Sequence, residues 1–96
     1  MKKYNEFVGQ NIRVYDNGGK TVDRYAVVFM EWGASSKYGI KNCYEGVTMS
    51  ASPFHPQGIC QHGPIRPGRR LGKRIKYADL PEDCRIVIQR DISDKD

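Results

Sequence analysis

The chain has 96 residues, 39% of them hydrophobic and 28% charged, with a formal net charge of +5. That length makes one domain around one core, and the composition excludes a disordered chain. No apolar run approaches the ~18 residues of a membrane span.

The opening MKKYNEFVGQ has basic residues without the apolar core of a signal peptide, so the expected location is the cytoplasm. Cys43, Cys60 and Cys84 are an odd number with no CxxC pair, which argues against a disulfide framework and predicts reduced, mostly buried thiols. Charge is unevenly distributed. Ile65 to Lys76 holds six basic residues and no acidic one, whereas from Asp79 onward six acidic residues outnumber three basic ones. Such a division suits a positive patch that meets an acidic partner.

Asn11 to Asp16 alternates Ile12 and Val14 against Arg13 and Tyr15, as a half-buried strand does. Asn17-Gly18-Gly19 supplies residues that tolerate positive φ, predicting a tight hairpin turn. Thr21 to Glu31 is then the second arm, apolar on both faces from Tyr25 to Met30 and therefore central. Trp32 to Ser36 reads as a turn, and residues 38–49 as one bent strand or two short ones, interrupted at Gly39 and Gly46.

Residues 50–72 have neither alternation nor helical period and are expected to form a long loop. Phe54, Ile59, Ile65 and Leu71 are spaced to anchor it. Lys73 to Tyr77 reads as a last strand. Asp79, Pro81 and Glu82 form the start signal of a helix over residues 80–92, with Asp79 as N-cap and Glu82 completing a capping box. Leu80, Cys84, Val87, Ile88 and Ile92 form its apolar stripe. The fold class is α+β: a small antiparallel sheet of about four strands, one C-terminal helix packed on a face, and a long ordered loop rich in Pro, Gly and Arg.

The stretches NIRVYDNGGKT, PFHPQG with a nearby QHG, and LGKRI followed by DLPEDC resemble a group of short uncharacterised proteins carried by phages, prophages and plasmids. The resemblance runs from about Gln10 to Ile92. It implies a mobile-element accessory protein that acts in the cytoplasm of a bacterial host, and it implies no particular activity.

Four chemistries compete for the long loop. His55, Cys60 and His62, with Cys43, offer a Cys2His2 set, but the spacing matches no zinc motif; no metal and no cofactor is expected. His55 and His62 near Arg69, Arg70 and Lys73 have the residue types of a phosphodiester hydrolase, and Cys60 with His62 those of a nucleophile and its base. Two structural histidines are the better expectation, and no catalytic residue is assigned. Nucleic-acid binding draws on the same cations, with Tyr77 and Phe54 available for stacking. Protein binding draws on Trp32, Tyr38 and Tyr44 besides. The favoured expectation is a non-enzymatic protein that binds a host protein or protein–nucleic acid complex, as an inhibitor of a host defence or nucleic-acid-handling complex. The contact residues are Arg66, Arg69, Arg70, Lys73, Arg74, Phe54, His55 and His62. Nucleic-acid binding and a metal- or His-dependent hydrolase are the alternatives, and a homodimer is compatible with any of these.

Overall fold

The computed structural model describes residues 11–95. The N-terminal stretch read above for a leader lies outside them. Strands β1 (Ile12–Asp16), β2 (Tyr25–Gly33), β3 (Tyr44–Met49), β4 (Cys60–Ile65) and β5 (Lys73–Ile75) form one antiparallel sheet in the order β4-β3-β2-β1-β5. A one-turn helix α1 (Ser35–Tyr38) links β2 to β3, and helix α2 (Glu82–Lys95) follows the last strand. Short 3-10 turns at Arg69–Leu71 and Tyr77–Asp79 flank β5. No described helix is long and apolar enough to cross a membrane.

Strand alternation divides the apolar residues between two faces. Val14, Tyr25, Val27, Phe29, Val47 and Met49 face α2 and meet its stripe of Cys84, Val87, Ile88 and Ile92, with Leu80 just ahead of the helix, all buried. Ile75 and Tyr77 both turn toward this core. Full burial of Ile88 and Ile92 contributes about 1.5–3 kcal/mol each by area. On the opposite face, Tyr15, Ala26 and Val28 form a smaller cluster. Met30, Tyr44, Ile65 and Leu71 pack against it.

The β1–β2 connection is longer than a two-residue turn. Asn17 N–H donates to the Arg24 carbonyl at 3.0 Å, while the Asn17 side chain accepts from the N–H groups of Gly19 and Lys20. The second arm therefore starts at Tyr25 rather than Thr21. Asp16 and Arg24 brace its base through two hydrogen bonds of 2.7 and 3.0 Å.

The expected turn at Trp32 is displaced. Trp32 belongs to β2 and stacks at 4.7 Å on Phe29, and the chain then turns through α1, so β3 begins only at Tyr44. The expected long loop over 50–72 is also corrected: it contains β4, a full strand paired with β3 from Cys60 to Ile65. What remains is a compact turn from Ser50 to Ile59 and a crossing segment from Arg66 to Gly72. The turn is closed by Ser50 N–H on the Ile59 carbonyl and Ile59 N–H on Ser50 Oγ. Pro53, not Phe54, is its buried residue.

Helix α2 begins at Glu82 and extends to Lys95, past the expected end at residue 92. Its first intrahelical bond runs from Arg85 N–H to the Pro81 carbonyl. Asp79 does not cap it. The Asp79 carboxylate instead accepts from Lys76 N–H and caps the preceding 3-10 turn.

Candidate partner-binding surface

The crossing segment carries the chain over the sheet face opposite α2, from one edge strand to the other. Ile65 and Leu71 lie on the small cluster beneath it, so its apolar side chains point inward and its cations outward. Arg66, Arg69, Arg70, Lys73 and Arg74 are all exposed. None of them makes an ion pair with a carboxylate among the described residues. Arg70 is held in place: its guanidinium donates to the Arg66 carbonyl and lies against Gly68. Arg74 sits 5.9 Å from the centroid of the Tyr15 ring, across the β1–β5 pair. Lys73 lies close enough to Asp16 to help lower that carboxyl.

Gly72 fixes the entry into β5. Its φ is +115°, and its α-carbon approaches the Asp16 backbone so closely that a β-carbon would collide with the Asp16 carbonyl. Arg13 joins this surface, a residue that sequence reasoning did not select. It pairs with Val28 across β1–β2 and therefore shares the face of Tyr15 and Arg74. The alternation of IRVYD was enough to place it there.

The remaining expected contact residues are elsewhere. Phe54 and His55 lie in the Ser50–Ile59 turn beside α2, where Arg90 stands 5.1 Å over the half-exposed Phe54 ring. His55 Nδ1 accepts from Gln57 N–H at 3.1 Å, a local turn contact. His62 is on the α2 face of β4, opposite Val47. Its Nε2 lies 2.9 and 3.1 Å from the two carboxylate oxygens of Asp91. The arginines thus lie on the crossing-segment face and Phe54, His55 and His62 on the α2 side, while Lys73, opposite Asp16 and in step with Ile75, stands on the α2 side of the edge strand.

No family model, curated protein or solved structure matches the chain. Its own geometry therefore carries the functional reading.

His62 and Asp91 line a cleft of about 230 Å³ with Phe29, Trp32, Tyr38, Glu45 and Asp94. A carboxylate-braced imidazole supplies two of the three members of a catalytic triad. The described lining contains no Ser, Thr or Cys to serve as nucleophile and no Arg or Lys to hold a phosphate. Cys60 is a poor nucleophile here, because burial and the neighbouring Asp91 charge both push its thiol upward. Among the described residues no three His, Cys, Asp or Glu side chains are grouped to hold a metal. Tyr77 is committed to the core, its hydroxyl accepting from Gln89 Nε2 at 2.9 Å, and is not on the basic face to stack a base.

Proposed function

We propose that this is a non-enzymatic accessory protein of a mobile element that binds an acidic surface of a host protein or protein–nucleic acid complex in the bacterial cytoplasm. Its role is inhibition of a host defence or nucleic-acid-handling complex. One observation carries the reading: Arg66, Arg69 and Arg70 stand exposed on a braced crossing segment, and Lys73 and Arg74 on the edge strand β5 that follows it, with no described carboxylate within ion-pair reach. Unpaired guanidinium groups on a rigid support lose little entropy when they meet a carboxylate or phosphate. The partner is contacted by occlusion, the arginines covering an acidic groove, and Arg13 extends the contact.

The opposed placement of arginines and histidines supports binding over phosphodiester hydrolysis, which needs both at one centre. Tyr15, the ring beside Arg74, is buried, which favours a protein or a backbone-only contact over single-strand stacking.

Affinity purification of tagged protein from the bacterial host, with and without nuclease, tests the proposal. The expected result is one host protein recovered in both samples and lost with Arg69→Glu/Arg70→Glu. Recovery that vanishes on nuclease treatment would transfer the surface to nucleic acid. Full recovery by the double variant would overturn the arginine site. The hydrolase reading has its own test: a turnover abolished by His62→Ala, in a protein that still folds, would replace the binding proposal.

A further inference from the structure

The two edges of the sheet differ in kind. β5 is three residues long and carries Lys73 and Arg74, with Lys76 just beyond it. Short, charged edges of this sort discourage pairing with another chain. β4 is six residues long, Cys-Gln-His-Gly-Pro-Ile, and contains no Lys, Arg, Asp or Glu. Among the described residues it is an open edge without the usual charged protection.

Hydrogen-bond phase identifies the groups it offers. Ile59 directs both its carbonyl and its N–H toward Ser50, so its backbone faces β3. Alternation in an antiparallel ladder then turns Gln61, Gly63 and Ile65 toward β3, and Cys60, His62 and Pro64 outward. Pro64, which has no N–H, occupies an outward position, where proline costs the sheet no bond. Cys60 and His62 each keep an outward N–H and carbonyl, and the sheet order places no described strand beyond them.

We propose that β4 pairs with β4 of a second copy, antiparallel across a twofold axis, so that the two sheets join into one. The strand is complementary to itself in this arrangement. Centred on His62, it pairs the two His62 backbones reciprocally, and Cys60 N–H of each copy meets the Pro64 carbonyl of the other. Centred on Gln61, it exchanges bonds between Cys60 and His62. Either alignment makes four backbone bonds.

Self-complementarity selects a second copy as the occupant: each alignment joins the outward Cys60 and His62 N–H groups of one copy to outward carbonyls of the other. The net charge of +5 opposes association, but β4 itself contains no Lys, Arg, Asp or Glu, and the Asp91 carboxylate beside it is engaged by His62. Gly63 keeps the strand low on the crossing-segment side, with nothing within 4 Å of where a β-carbon would stand. A twofold axis normal to the sheet puts both basic faces on the same side. That last consequence rests on the proposed function; the dimer itself does not.

Sedimentation equilibrium from low to high micromolar protein, with and without reductant, is the test. The expected mass rises toward twice the 11.0 kDa of the chain and is indifferent to reductant, because neither alignment places Cys60 against Cys60. Gln61→Lys/Gly63→Lys puts like charges across the axis, at an exposed position and at one with open space for a side chain, and should leave a folded monomer. Hydrogen exchange adds a local readout: the Cys60 and His62 amides should slow at least ~10-fold as concentration rises. A mass of one chain throughout, a dimer retained by the double variant, or a dimer dissolved by reductant would each overturn the proposal. The mass reads dimerisation without any partner, so a failed dimer and a failed arginine site are told apart.

Discussion

The three cysteines show how position decides reactivity. Cys43 and Cys84 are buried, and Cys60 is exposed. Burial pushes the Cys84 thiol to about 11, with the Asp83 charge adding to the effect, and its S–H points to the Ser50 carbonyl at 3.3 Å. A thiol reagent on the native protein should therefore modify one cysteine, which mass spectrometry should locate at Cys60. Its rate should keep rising above the pH at which an ordinary thiol levels off, because Cys60 is also shifted upward. Asp16 is shifted the other way. The hydrogen bond from Arg24 holds its carboxyl below 3.8, with help from Gly18 N–H. A lowered folded value means its stabilisation is present above 3.8 and is lost as pH falls through that lower value. Asp16→Asn should therefore melt below the wild type at neutral pH, and the gap should close in strong acid.

At the scale of elements, legibility followed the strength of the period. The stripe from Leu80 to Ile92 was readable because α2 packs along one face, and all five residues are buried. Replacing Ile88 with Ala should cost about 2–5 kcal/mol in denaturant unfolding, as expected for a large side chain removed from a sealed core. β4 left no such trace. Its α2-side residues are Cys60, His62 and Pro64, and the other side holds Gln61, Gly63 and Ile65, so neither face carries an apolar series. A proline also argues against a strand until the strand is known to be an edge. The start of α2 was misread for a related reason. Asp79 is a good cap, but a 3-10 turn lies in front of the helix and uses it first. Gly72 marks the joint between the crossing segment and β5. Gly72→Ala should cost roughly 1–3 kcal/mol, since it meets both a positive φ and the Asp16 carbonyl.

At the scale of the whole molecule, the uneven charge of the sequence becomes a division between faces. The arginines of the crossing segment lie on one side of the sheet, and Asp91, Asp94 and Glu45 lie near the cleft on the other. The basic run was plain in the sequence. Its separation from His55 and His62 was not, because β4 was needed to send the chain across the sheet between them. Binding through exposed guanidinium groups should weaken with salt. A titration at increasing ionic strength should show affinity falling by at least ~10-fold between 50 and 300 mM, with a shallower slope for Arg69→Glu/Arg70→Glu.

The sheet order also has a consequence in time. β1 enters the sheet first but completes its outer edge only when β5 arrives, after every other strand has been made: Val14 waits for Ile75. During synthesis the β1–β4 meander can form early, yet both apolar clusters stay uncovered, since Leu71 and all of α2 are still to come. A contact this distant in sequence slows folding relative to local pairings. The emerging polypeptide thus passes through a stage in which its sheet is built and its interior is wet, and chaperones and proteases of the cell meet it in that form.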